Sequence, residues 1–175
     1  MTTLGKRFLP GGTFLEIERV HFLVDGKNLM RVVVRHPGAV AVVPVIGEDV
    51  ILIEQERMPV GERVLEIPAG KRDIEGESPE VTAIRECEEE VGWRPGRLTS
   101  LGSIYTTPGF SDERIWLFIG WDLEPVPTNP QGHEEEQAAV IRIPIADALR
   151  RVDERRIVDA KTVIGLQALR REFES

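Results

Sequence analysis

Residues Leu65 to Trp93 read LEIPAGKRDIEGESPEVTAIRECEEEVGW, with seven glutamates between Glu75 and Glu90. Helix signals bracket most of them. Ser78 is placed to cap the first free N–H groups, Pro79 suits the first helical position because its missing donor costs nothing there, and Gly92 supplies a left-handed stop. At about 100° per residue, Val81, Ile84, Cys87 and Val91 fall on one side as an apolar stripe for packing on a sheet, with Glu86, Glu89 and Glu90 roughly opposite. A solvated acidic face would set Lys or Arg three or four residues from each Glu, yet here Glu86 faces Glu90, a like-charge pair costing about 0.3 kcal/mol. Three carboxylates in the last two turns also oppose the negative end of the helix dipole. An offsetting cation is expected. Hard divalent ions take oxygen ligands, and Mg²⁺ (or Mn²⁺) binds one or two carboxylates together with waters and substrate phosphates, which Glu86, Glu89 and Glu90 can provide. Arg85, four residues before Glu89, is spaced to orient that carboxylate.

The run Arg85-Glu86-Cys87-Glu88-Glu89-Glu90-Val91-Gly92-Trp93 resembles the R-E-U-x-E-E-x-G-U half of the Nudix box, where U is a bulky apolar residue, and Glu77 stands eight positions before Arg85 as that pattern requires. The first half departs from it. Gly70 and Glu77 enclose six residues, Lys71 to Gly76, one more than the family pattern. The extra residue precedes the Ser78 cap, so it is predicted to bulge the loop without rotating the helical ligands. The resemblance implies an α/β fold, an α/β/α sandwich around a mixed sheet with its active site at the box helix. It also implies that the Ala69 carbonyl joins Glu86, Glu89 and Glu90 at the metal.

Outward from this stretch, the pattern agrees. Thr13 to Val24 and Asn28 to Arg35 alternate around the turn signal Asp25-Gly26, predicting a small antiparallel sheet. The apolar runs Ala39 to Ile46 and Val50 to Gln55 read as buried strands, Leu65 to Pro68 as a short strand, and Leu98 to Thr106, Arg114 to Leu123 and Ala138 to Pro144 as further strands. Helical spacing marks Asp147 to Val152 and Asp159 to Phe173, the latter with Val163, Leu166, Leu169 and Phe173 as its stripe. Strands, a helix, more strands and a final helix predict a mixed sheet with helices on both faces. Residues 1–38 are expected to form an N-terminal unit for dimerisation and base binding, and residues 39–175 the hydrolase domain.

Composition sets outer bounds. A 175-residue chain with 41% hydrophobic residues suffices for one domain with a sizeable core. Thirty acidic against 22 basic side chains give a net charge of −8, which argues against nucleic acid as a partner. An acidic protein acting on an anionic substrate needs a cation between them. The single cysteine, Cys87, rules out an intrachain disulfide, and its place in the apolar stripe predicts a buried thiol. No window reaches the length of a membrane span, and no apolar signal segment opens the chain, so a cytoplasmic protein without a membrane partner is expected.

The Nudix resemblance carries the chemistry further. It implies hydrolysis of a nucleoside diphosphate linked to a second group, by direct attack of metal-activated water on phosphorus. Pro108, sixteen residues after Gly92, resembles the proline marking ADP-ribose pyrophosphatases, although a proline there also simply shapes a turn. Thr107, Gly109, Phe110, Ser111, Asp112, Glu113 and Arg114 around it resemble that group's substrate loop. Glu54-Gln55-Glu56-Arg57 is similar to a Q-x-R run whose arginine contacts a substrate phosphate, a role that fits the fork of Arg donors. Gly132-His133-Glu134-Glu135-Glu136 resembles the acidic loop that brings a glutamate over the metals, giving Glu134 as general base and Glu136 as assisting ligand, with Glu89 the rival base. His133 suits hard Mg²⁺ poorly. Phe14 sits where members of this group stack adenine, with Arg35 nearby, though ordinary sheet packing explains Phe14 equally well. Arg156 to Leu166 resembles the family's C-terminal helix. Together these imply Mg²⁺-dependent cleavage of ADP-ribose by a homodimer that exchanges its N-terminal sheets. Alternatives are another nucleoside diphosphate sugar such as GDP-mannose, or a Nudix-fold sensor without catalysis.

Overall fold

The computed structural model describes residues 2–8 as backbone, and residues 15–127 and 138–174. Phe14, His133, Glu134 and Glu136 lie outside the described residues. Three strands, β1 (Thr2–Phe8), β2 (Glu16–Val24) and β3 (Lys27–Arg35), form one antiparallel sheet in the order β1-β2-β3. Its β2–β3 hairpin turns at Asp25 and Gly26, both at positive φ (50° and 74°), as a tight two-residue connection requires.

The second sheet contains β4 (Ala39–Ile46), β5 (Asp49–Arg57), β6 (Glu62–Glu66), β7 (Ala69–Lys71), β8 (Trp93–Tyr105), β9 (Arg114–Pro125) and β10 (Ala139–Pro144). Its path runs β10-β5-β4-β9-β8. β4 and β9 pair in parallel and the other pairings are antiparallel, so the sheet is mixed. β4 and β5 pair only near their shared turn, at Val45↔Val50 and Ile46↔Asp49, and then part. The gap between them is filled by one continuous segment. β6 pairs with β5, the chain crosses at Ile67 and Pro68, where Pro68 O accepts the Val42 N–H (3.0 Å), and β7 pairs with β4. The predicted strand Leu65 to Pro68 is therefore two short strands broken at this crossing. Proline ends the pairing because it has no N–H to offer.

β4 is buried along almost its whole length because both of its faces are covered. Ala39, Ala41, Val43 and Val45 join Leu166, Leu169, Ile157 and Ala148 in a core formed with α2 (Ile145–Asp153) and α3 (Ala160–Glu174). Val40 and Val42 pack with Phe118 and with Ala83 of α1 (Pro79–Val91). Helices thus cover both faces of the sheet. α3 lies especially close: a Cβ at Gly165 would stand 2.7 Å from Val43 Cγ2 and 3.3 Å from Ile67 Cδ1.

Two predicted stripes shift. In α1 the buried positions are Thr82, Ala83, Glu86, Cys87 and Val91, whereas Val81 is 52% exposed. The small Ala83 lets the helix settle on Val40, Val42 and Phe118, which turns Val81 to solvent and brings Glu86 inward. In α3, Leu166 and Leu169 are fully buried, but Phe173 is exposed in the helix's last turn. Among the described residues, no helix is long and apolar enough to cross a membrane.

Candidate active site at the parted strands

α1 begins and ends where its local chemistry dictates. Ser78 is in extended geometry and its Oγ accepts the Val81 N–H at 3.4 Å, Pro79 follows, and Gly92 closes the helix at φ 71° with its N–H on Glu88 O. The extra loop residue is absorbed before the cap: Gly76 takes φ 87°, and Glu77 N–H returns to Ile74 O. Glu77 keeps its tie to the helix, accepting from Thr82 Oγ1 at 3.0 Å and meeting Arg85 Nη2 at 3.4 Å.

Arg85 gathers the acidic face. Its Nη1 lies 2.8 Å from Glu86 Oε1 and 3.0 Å from Glu89 Oε2. Burial works against its charge, but Glu86, Glu77 and Glu89 outweigh that and raise its pKa above the ordinary arginine value. Glu90 turns instead to the crossing segment and accepts the Ala69 N–H at 2.8 Å. Gly70 faces Glu86 so closely that a Cβ there would fall 1.9 Å from its Cδ. No side chain fits. The carboxylates of α1 are thereby pressed against the Ala69–Gly70 backbone at the gap between β4 and β5.

Among the described residues, no group of three acidic, His or Cys side chains closes around one point as a ready-made metal cage. The reason is visible in the partners: Arg85 occupies Glu86 and Glu89, and Ala69 N–H occupies Glu90. Mg²⁺ does not require such a cage, since it keeps waters and takes only one or two carboxylates besides phosphate oxygens. The all-oxygen donor set and the side-chain-free approach at Gly70 fit a hard divalent ion.

Arg57, at the end of β5, extends toward this site. Its Nε and Nη2 donate to Glu66 Oε1 and Oε2 at 2.7 and 2.8 Å, and this pair, with Glu90 and Asp159 adding to it, raises its pKa. The remaining predicted residues that are described gather in a second cluster. In the loop around Pro108, Gly109 and Phe110, the N–H groups of Phe110 and Ser111 return to Thr107 O. The loop is fastened to β3: Val34 N–H donates to Phe110 O (2.8 Å), and Ser111 Oγ and Asp112 N–H donate to Val34 O. Arg35 bridges Glu18 (2.8 Å) and Asp112 (2.9 Å), so its guanidinium braces the loop. Burial lowers the His36 pKa despite Glu113 and Asp112, and its Nδ1 accepts the Gly38 N–H at 3.0 Å, which leaves Nε2 toward Glu113 Oε1 at 3.5 Å. The two clusters meet through β4 and β7, where Ala39 pairs with Lys71 and Arg72 N–H donates to Gly38 O.

Glu66, Lys161 and Asp159 escaped the sequence reading as site residues. Between Leu65 and Ile67, Glu66 has the position of a solvent-facing strand residue, yet it is 2% exposed. Its covering residue, Lys161, is 95 residues away in sequence, and only the acidic and basic pairing of the LEIPAG and DAKT segments hinted at the contact. Cys87 is fully buried as expected, and burial pushes its thiol pKa up.

The chain belongs to the Nudix family: the NUDIX domain profile matches residues 35–163. An ADP-ribose pyrophosphatase of Bacillus subtilis (strain 168) is 41% identical over 170 residues, covering 95% of this chain and 91% of that protein. A methanol dehydrogenase activator of Bacillus methanolicus is 40% identical over 156 residues, covering 89% of this chain and 83% of that one. A crystal structure of an ADP compounds hydrolase shares the fold, with a TM-score of 0.80 at 24% identity over 99% of this chain and 94% of that chain.

Proposed function

We propose that this protein hydrolyses the pyrophosphate bond of ADP-ribose, giving AMP and ribose 5-phosphate, with Mg²⁺ or Mn²⁺ as working ion. The observation that carries the reading is Glu86 and Glu90 held against Ala69–Gly70, with Glu89 tied beside them by Arg85 and the Arg57 guanidinium under the influence of Glu90. The near full-length similarity to a protein named ADP-ribose pyrophosphatase selects the substrate.

Glu86, Glu89, Glu90 and the Ala69 carbonyl are the residues that would hold the ion, with Glu136 assisting. When bound, it supplies Lewis acidity toward phosphoryl oxygens and a more acidic water. Arg85 fixes the Glu89 carboxylate. Arg57 presents its outer N–H groups to a phosphate, since Glu66 occupies its inner edge. Pro108, Gly109, Phe110, Asp112 and Glu113 shape the nucleoside side, with Arg35 bracing them and Phe14 stacking the base. Glu134 takes the proton of the attacking water, Glu89 being the alternative.

A homodimer fits the apolar side chains left exposed on the β2–β3 hairpin, among them Leu23 (77%), Met30 (47%) and Val32 (50%). A reducing, cytoplasmic setting suits the lone buried thiol.

The deciding experiment is a steady-state assay on ADP-ribose and GDP-mannose, with and without Mg²⁺, with product identification. Mg²⁺-dependent AMP and ribose 5-phosphate support the reading. Faster turnover of GDP-mannose moves the substrate, and no turnover of either leaves a binding module. Separate Glu134→Gln and Glu136→Gln variants locate the base; near-normal rates in both remove that loop and leave Glu89. Light scattering across a dilution series reads the dimer, and a fully active monomer would exclude a shared site.

A further inference from the structure

A buried cluster of charge lies where β5, β6 and α3 meet. Glu66 ends β6 with both carboxylate oxygens engaged, Oε1 by Arg57 Nε and Oε2 by Arg57 Nη2 and Lys161 Nζ. Lys161, in the first turn of α3 and 9% exposed, also meets Asp159 Oδ1 at 3.1 Å. Asp159 in turn caps α3: its Oδ2 accepts from Thr162 N–H (3.0 Å) and Thr162 Oγ1 (2.6 Å), and the same hydroxyl accepts the Ile67 N–H at 2.8 Å. An unbroken chain of polar contacts therefore runs from Arg57 to the N-terminus of α3. It returns to the strand crossing two residues before Ala69.

Two cations and two carboxylates balance here, so the cluster calls for no outside ion. Nor is fold stability a sufficient reason for it, because buried ion clusters are commonly matched or bettered by apolar side chains of the same volume. What such a cluster provides is geometry. Arginine has a long, rotamer-rich side chain, and a guanidinium already fixed before the ligand arrives loses less freedom on binding. Glu66 grips the Nε and Nη2 edge, and Nη1 has no hydrogen-bond partner among the described residues. Lys161 decides where Glu66 can sit, because without the ammonium the Glu66 and Asp159 carboxylates would face each other with no cation between them.

We propose that Lys161 is a positioning residue for phosphate recognition: through Glu66 it fixes the Arg57 guanidinium with its outer donors aimed at the substrate's pyrophosphate. The proposal rests on the reading of Arg57 as a phosphate contact. It deepens that reading by assigning the N-terminus of α3 a part in substrate affinity.

The test is a double-mutant cycle of Lys161→Met and Arg57→Ala, read as kcat and KM for ADP-ribose with Mg²⁺ and as affinity of the metal-free protein for ADP-ribose by calorimetry. Lys161→Met is expected to raise KM on the order of tenfold with kcat little changed, the scale typical of residues that orient a direct contact. Lys161→Arg should restore most of the loss, and in the Arg57→Ala background Lys161→Met should add nothing. An unchanged KM in Lys161→Met, or the same KM rise with and without Arg57, overturns the proposal. If Lys161→Met does not fold, Lys161→Gln, which keeps a donor for Glu66, takes its place in the cycle. A wild-type protein that turns over no ADP-ribose defeats the substrate reading instead, so the two failures are distinct.

Discussion

Two charged clusters sit on either side of the crossing at Ile67 and Pro68, and they differ in their balance. At the α1 end, Glu77, Glu86 and Glu89 gather around one arginine, Arg85, while Glu90 beside them accepts the Ala69 N–H. At the α3 end, Glu66 and Asp159 are matched by Arg57 and Lys161. The first carries an excess of negative charge and packs tightly against Gly70; the second is neutral, with Glu66 and Lys161 buried. In the proposed roles, the cluster with excess charge takes an ion from solution and the balanced one holds shape. Residue type alone does not separate them, because both set carboxylates around an arginine.

The sharpest break of this contrast is Glu90→Gln. Losing a carboxylate from the excess cluster should lower kcat on the order of 10³-fold, because the Lewis-acid contribution is worth several kcal/mol. The metal-free protein should be no less stable, and slightly more so, since a like charge leaves the helix end. Thermal melts without Mg²⁺ beside kcat with Mg²⁺ would show both; a strongly destabilised variant would mean that Glu90 is structural. Glu66→Gln should behave the opposite way. Removing the charge from a 2% exposed carboxylate that holds two cations should cost about 3 kcal/mol in urea unfolding, with the loss in stability larger than that in kcat.

Gly70→Ala comes next. The added Cβ would overlap Glu86, so the crossing segment or α1 must shift, at roughly 2 kcal/mol, and activity should fall even with all carboxylates present. An alanine variant with native KM and kcat would show that the close approach has no functional part. The smallest effect is pH dependence. Burial pushes the Glu66 carboxyl up, but Arg57 and Lys161 more than reverse this and leave it below its ordinary 4.5. With the folded value depressed, its stabilising contribution is complete above about pH 4.5 and is lost as pH falls through the folded value. Stability against pH should therefore drop more steeply below pH 4.5 in the wild type than in Glu66→Gln. Parallel curves would assign the acid sensitivity elsewhere.

Sequence was most informative where the cause is local. Ser78, Pro79 and Gly92 define α1 because capping and left-handed closure involve neighbours in the chain. The continuous apolar run of β4 announced a buried strand. Sequence was least informative where a distant segment decides. Val81 and Ala83 both lie on plausible stripes, and only the contour of Val40, Val42 and Phe118 selects Ala83. Glu66 has the alternation of an outward residue, and its burial follows from a lysine on the last helix. The acidic box was conspicuous in the sequence by its unbalanced charge. The balanced network was not, because pairing across the fold cancels the very signal that a reader of charge would use.

Gly165 bears on how this enzyme could be engineered. Replacing a mid-helix glycine with alanine is a standard route to a hardier protein, worth about 1 kcal/mol in helix propensity. Here the methyl group would press on Val43 and Ile67 and lift α3 from the sheet. The overlap costs more than the propensity returns, and the helix carries Lys161 at its leading end, so a thermostability screen and an activity screen should both reject this one substitution.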